Sequence, residues 1–286
     1  MSFGARLAQT LAEQGPLCVG IDPHAYLLAE WGLPDSAAGA ERFGRLVVEA
    51  ANGRAGLVKP QVAFFERFGA AGYTALERVL ADARDAGLLV IADAKRGDVG
   101  TSADGYGQAW LAPGSPLEAD AVTLSPYLGV GSLSGVLALA EQSGKGVFVL
   151  AATSNPEAAL LQRAVLADGP RAGATVARAV FDEVTEHNRR AEGAGLGSAG
   201  VVLGATVDLP AYGIDVHADP PHPLTPVLAP GFGYQGADVR NLASIYGRLA
   251  PAVIVSESRS VLSAGPSGLA EAIANRATQA GAARVH

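Results

Sequence analysis

The sequence predicts a single (β/α)8 barrel, and two observations carry that prediction. Short runs rich in Val, Ile and Leu recur eight times, each closed by Gly, Pro or polar residues and each followed by a longer stretch bearing Ala, Glu and Arg. Alternating strands and helices imply a parallel sheet covered on both faces, and eight such units in 286 residues fit a closed barrel better than an open doubly wound sheet.

In order, the strand runs are 16–22, 56–60, 88–95, 120–126, 146–153, 199–206, 226–230 and 252–256. Helical periodicity predicts helices over 37–52, 62–86, 133–142, 172–192 and 267–280. The sixth connection breaks the pattern. From Leu209-Pro210 to Pro220-Pro221-His222-Pro223 it carries too many prolines for a regular helix, so the outer ring is expected to be irregular across 207–225. With no low-complexity tail or linker in view, residues 1–286 read as one domain.

Composition narrows the class of function. The chain is 49% hydrophobic and 17% charged with one cysteine, and its mean hydropathy is +0.23, which excludes disordered, coiled-coil, collagenous and disulfide-built chains. A net charge of −7 argues against nucleic acid or an anionic membrane surface as a partner. No secretory pattern opens the sequence and no apolar run approaches the ~18 residues of a membrane helix, so a cytoplasmic location is expected. Cys18, in an apolar stretch, reads as a small buried hydrophobe. His217 and His222, five apart with no acidic or Cys partner, read as solvated loop residues, and no metal site is expected.

Of the 21 basic residues eighteen are Arg and only Lys59, Lys95 and Lys145 are Lys. Retained lysines merit location, because an ammonium can be tuned to donate a proton and a guanidinium effectively cannot. Active sites of such barrels lie at the C-terminal strand ends. Those ends read Gly20-Ile21-Asp22-Pro23-His24, Val58-Lys59-Pro60-Gln61 and Asp93-Ala94-Lys95-Arg96-Gly97-Asp98. Period-two alternation puts Asp93 and Lys95 together inside the mouth, with Ala94 and Arg96 turned away. An isolated Asp-x-Lys is usually a structural ion pair; adding Asp22 and Lys59 from neighbouring strands makes four converging charges, which is costly unless the site uses them. Lys145 precedes the fifth strand at the other face, so Lys145→Arg is expected to be nearly silent.

Opposite these, Pro230-Gly231-Phe232-Gly233-Tyr234-Gln235-Gly236 and Ser256-Glu257-Ser258-Arg259-Ser260 occupy the ends where barrels often hold a phosphate. Arg259 can add a bidentate contact. Thr153-Ser154-Asn155 at the fifth strand offers short polar groups to a planar heterocycle.

These residues carry a resemblance. The run 93–100 resembles the Asp-x-Lys-x-x-Asp signature of the orotidine 5'-phosphate decarboxylase family, and Gly20 to His24, Val58 to Phe64, Thr153 to Pro156, Pro230 to Gly236 and Ser258 to Ser260 follow in the order of its longer bacterial branch. The resemblance implies decarboxylation of orotidine 5'-phosphate to uridine 5'-phosphate, the last step of de novo pyrimidine nucleotide synthesis, without a cofactor. It implies that Lys59, Asp93, Lys95 and Asp98 form an alternating charged array, with Lys95 the proton donor and Asp93 facing the substrate carboxylate. Asp22 and Lys59 would bind the ribose and Ser154 the pyrimidine edge. Pro230, Gly233, Gln235, Gly236, Ser258 and Arg259 would form the phosphate end. A homodimer is implied, with Asp98 and a hydroxyl from Thr101 or Ser102 reaching the other subunit's site. Competing readings are a metal-dependent sugar-phosphate decarboxylase or synthase on the same scaffold, a Schiff-base lysine enzyme, and a non-catalytic nucleotide-binding barrel.

Overall fold

In the structure, a computed structural model describing residues 1–190 and 195–285, the eight apolar runs are eight parallel strands closed in sequence order. They are β1 (Leu17–Ile21), β2 (Leu57–Pro60), β3 (Leu89–Arg96), β4 (Ala121–Leu124), β5 (Gly146–Ala152), β6 (Ala199–Leu203), β7 (Val227–Pro230) and β8 (Val253–Glu257). β8 pairs back onto β1 through Leu17 with Val255 and Cys18 with Ser256, which seals the barrel.

Alternation along the strands sorts two cores. Val19, Val58, Val90, Val122 and Val255 point outward and pack beneath the helices. Cys18, Leu57, Leu89, Ile91, Phe148, Val202, Leu228 and Ile254 fill the interior. An N-terminal helix, Phe3–Glu13, joins that inner core through Phe3, Leu7 and Leu11. Phe3 meets Phe148 edge-on at 6.1 Å and lies against Gly146, the first residue of β5, so this helix closes the base of the barrel. Ser2 caps it by accepting from Ala5 N at 3.2 Å. Cys18 is fully buried, and burial pushes its thiol up to about 12.

Three predicted helices differ in detail. The stretch 62–86 is two helices, Ala63–Glu66 and Gly69–Asp85, because Gly69 takes a left-handed φ of +60° between them. The helix expected from 172 begins at Val176, where Thr175 accepts from Arg178 N at 3.1 Å as the N-cap, and runs to Arg189; the expected end at Glu192 lies outside the described residues. The last helix is longer than expected, Gly265–Val285. As the prolines predict, the sixth connection has only a short 3-10 turn, Leu209–Tyr212. Gly100–Leu111, which periodicity did not pick out, is a helix following β3.

Lys145 departs from its expected role as an interchangeable base. It is 8% exposed, and its Nζ lies 2.8 Å from Glu118 and 3.8 Å from Asp120 at the start of β5. Arg6 reaches the same Asp120 at 2.5 Å and donates to Gly144 O at 2.9 Å. A guanidinium at 145 would have to fit a space already shared with Arg6, so the geometry points to a stability cost for Lys145→Arg that position in the sequence does not reveal.

Candidate active site

The alternation that packs the interior also delivers the charges to the mouth. On β3 the inward positions are Leu89, Ile91, Asp93 and Lys95, and the last two, with Asp22 and Lys59, line a cavity of about 380 Å³ at the C-terminal strand ends. Asp93 is 8% exposed. Its Oδ2 accepts from Lys59 Nζ at 2.9 Å, and its Oδ1 accepts from Lys95 Nζ at 2.5 Å and from Thr123 Oγ1 at 2.9 Å. The Gln61 amide completes the cluster, its nitrogen donating to Asp93 Oδ2 and its oxygen accepting from Lys95 Nζ at 3.2 Å.

Electrostatics decide the charge states here. Burial by itself would raise the Asp93 pKa, but Lys59 and Lys95 outweigh it and hold the carboxyl well below the usual carboxylate range. Burial by itself would depress Lys59, yet Asp93 and Asp22 outweigh it and keep the ammonium above its ordinary value. Both groups are therefore ionised at neutral pH.

Lys95 has a positive φ of 49°, alone among the described non-glycine residues. Such a conformation costs on the order of 1–3 kcal/mol and persists only where neighbours impose it. Thr123 is one such neighbour: its Oγ1 accepts from Lys95 N at 2.9 Å while donating to Asp93, and the β3–β4 register shifts between Ala92 and Arg96. Beyond Lys95 the chain passes so close to Ser125 O that a Cβ on Gly97 would lie 2.3 Å from it. That turn carries Asp98 away, and among the described residues its carboxylate accepts only from Val99 N, at 2.8 Å. Neither Asp98 nor Thr101 nor Ser102 lines the cavity of its own chain, and both hydroxyl residues are exposed in the first turn of Gly100–Leu111.

The opposite wall is built on the 3-10 turn Gly233–Gln235. Gln235 Oε1 accepts from Ser154 Oγ at 3.2 Å across the mouth, and Tyr234 lies under Arg259, with Cζ 3.8 Å from the ring centroid. Pro230, Ser258 and Arg259 line the cavity, whereas Gly233 and Gly236, at φ +69° and +103°, shape the turn behind it. Asp22 Oδ1 and Ser258 Oγ are buried without a partner among the described residues. Orphaned polar atoms are rare in folded proteins, and both of these belong to residues that line the cavity. His217 and His222 are exposed, and among the described residues no group of three or more His, Cys, Asp or Glu is placed to hold a metal ion.

A model of the orotidine 5'-phosphate decarboxylase / HUMPS family matches residues 15–268. The chain belongs to that family. Within it, the chain is 51% identical to an orotidine 5'-phosphate decarboxylase of Salinispora arenicola, over 93% of this chain and 91% of that one, and 49% identical to one of Streptomyces coelicolor, over 92% and 91%. A crystal structure from Streptomyces avermitilis superposes with a TM-score of 0.91 at 46% identity, covering 100% of this chain and 96% of that one. The OMP decarboxylase of Leishmania donovani superposes with a TM-score of 0.76 at 30% identity, each chain covered in full. The decarboxylase-family match takes in all eight strands and every site residue from Asp22 to Arg259.

Sequence reasoning missed Gln61, Thr123 and Tyr234. Gln61 is two residues beyond Lys59, and Thr123 is the last inward position of β4, so the alternation that selected Asp93 and Lys95 also selects them. Tyr234 gave no such signal, since only the conformation of its turn sets its ring beneath Arg259.

Proposed function

We propose that the chain decarboxylates orotidine 5'-phosphate to uridine 5'-phosphate, with Lys95 as the proton donor. The observation that carries this reading is one buried carboxylate, Asp93, clamped between Lys59 Nζ at 2.9 Å and Lys95 Nζ at 2.5 Å on the floor of a cavity of nucleotide dimensions. In the reaction the bond from C6 of the pyrimidine to the carboxylate carbon breaks, carbon dioxide leaves, and the electron pair stays on C6 in the ring plane, where the π system cannot delocalise it. An ammonium fixed beside C6 stabilises charge that develops only in the transition state, then transfers its proton to the carbon. Asp93 serves twice. It fixes both ammonium groups, and its charge faces the carboxylate that departs, which disfavours the bound reactant relative to the transition state.

Asp22 and Lys59 take the ribose hydroxyls, an assignment supported by the unpartnered Asp22 Oδ1. Ser154 takes the pyrimidine edge. Gln235 and Arg259, with Pro230, Ser258 and the turn shaped by Gly233 and Gly236, take the phosphate, whose binding energy draws the two sides of the mouth together. The chain works as a homodimer in which Asp98 and either Thr101 or Ser102 complete the partner's site. Supporting this, Asp98 turns away from its own cavity, and Val99, Tyr127 and Leu128 nearby are 56%, 76% and 53% exposed. Residues 1–286 act as one barrel domain in the cytoplasm, and no described helix is long and apolar enough to cross a membrane. The site calls for no cofactor.

An ultraviolet assay with orotidine 5'-phosphate, no added metal and a chelator present tests the reading. Turnover that disappears in Lys95→Ala, while uridine 5'-phosphate still binds, is the expected result. Near-normal turnover in that variant, or turnover that requires a divalent cation, overturns it.

A further inference from the structure

Among the described residues the Arg259 guanidinium has neither a hydrogen bond nor an ion pair; what it has is the face of Tyr234, 3.8 Å from Cζ to the ring centroid. At that separation the guanidinium is in cation–π contact with the ring face. With no acceptor among the described residues claiming them, its N–H donors stay available for a bidentate contact with phosphate oxygens. An arginine side chain otherwise carries rotamer entropy that is lost when it grips an anion. Stacking removes part of that loss before the ligand arrives.

The ring is itself held in place. Gly233, which precedes it, packs so tightly that a Cβ there would lie 2.8 Å from Ser260 Cβ. Ser260 Oγ donates at 2.5 Å to Glu257, a fully buried carboxylate that also accepts from Arg276 Nε at 2.6 Å. Phe232 and Ala237 bridge at the base of the turn, and Gln235 on the same turn is tied to Ser154. A seated turn thus presents an aromatic face to an arginine that no carboxylate claims.

Building on the phosphate end assigned above, we propose that Tyr234 is a positioning residue that stacks on Arg259 and holds its N–H edge ready for the substrate's phosphate. The ring acts through Arg259 and touches no substrate atom. Its phenol hydroxyl takes no part.

Steady-state kinetics on orotidine 5'-phosphate and on phosphate-free orotidine test this, with uridine 5'-phosphate affinity measured in parallel for variants too slow to assay. Tyr234→Ala is expected to raise KM for the nucleotide by about three- to tenfold with kcat changed less than about twofold. Tyr234→Phe restores KM, and the nucleoside reaction is unaffected by either change. In an Arg259→Ala background, adding Tyr234→Ala changes nothing further. An equal KM rise from Tyr234→Ala in that background, a Phe variant as poor as Ala, or no change in Tyr234→Ala overturns the role of the stack while leaving the phosphate end intact. An Arg259→Ala variant that binds the nucleotide as well as the parent overturns the phosphate end and the stack together.

Discussion

Lys95 shows how much of a site one side chain can reveal and where that stops. Its place beside Asp93 is legible from spacing alone, since residues two apart on a strand share a face. Its left-handed backbone and the Thr123 hydroxyl that imposes it are not legible, because they depend on how β3 and β4 pair, and the register shifts at that point. Thr123→Val keeps the shape but removes both hydrogen bonds. It is expected to lower kcat on the order of 10- to 100-fold with substrate affinity little changed, because the ammonium is then held less well. Stopped-flow single turnovers check this, and an unchanged chemical step would show that Thr123 has no hold on Lys95. Lys95→Arg is expected to be as inactive as Lys95→Ala, on the order of 10⁴-fold down or more, because a guanidinium neither yields its proton nor fits the ammonium's place.

At the scale of elements, the eight strands were legible because each is a short apolar run with a break at its end. The helices were legible only where their apolar periodicity was clean. Gly100–Leu111 was hidden by its glycines, one of which, Gly107, brings the helix close enough to Val136 that a Cβ would lie 3.3 Å from it. The N-terminal helix was overlooked because its apolar residues serve the interior of the barrel rather than its outer ring. Lys145 belongs to this scale as well, joining the entry to β5 to Glu118 and Asp120. Lys145→Met, which leaves Glu118 and Asp120 without the ammonium between them, is expected to cost about 1–3 kcal/mol of stability with kcat unchanged. Lys145→Arg is expected to cost about 1 kcal/mol. Urea unfolding midpoints set against turnover check both, and a Met variant as stable as the parent would contradict the role given to this cluster.

For the molecule as a whole, closure was predicted by counting strands, and the buried pair at its mouth sets a pH response that counting does not reach. Asp93 has a folded pKa below its unfolded value near 3.8, so its contribution to stability is complete above that value and is lost as pH falls through the folded one. Lys59 lies above its unfolded value of 10.5, so its contribution is complete below that value and is lost as pH rises through the folded one. Stability contributed by the pair is therefore flat between about pH 4 and 10. Below pH 4 the parent is expected to lose stability more steeply than Asp93→Asn; parallel curves in urea titrations would refute this. Subunit exchange addresses the assembly: mixing inactive Lys95→Ala with inactive Asp98→Ala is expected to restore turnover, since a mixed dimer holds one intact site. Activity no greater than the sum of the parents would mean that Asp98 serves only its own chain.

The base plug formed by Phe3, Leu7 and Leu11 bears on traffic through the barrel. Beneath Asp93 and Lys59 the interior is filled by Cys18, Leu57, Ile91 and Phe148 down to that helix, so among the described residues packed side chains close the barrel below the site. Carbon dioxide formed in the proposed reaction would leave upward, through the opening that admits the nucleotide. In the proposed reaction both products would leave by the opening whose rim carries Tyr234 and Gln235.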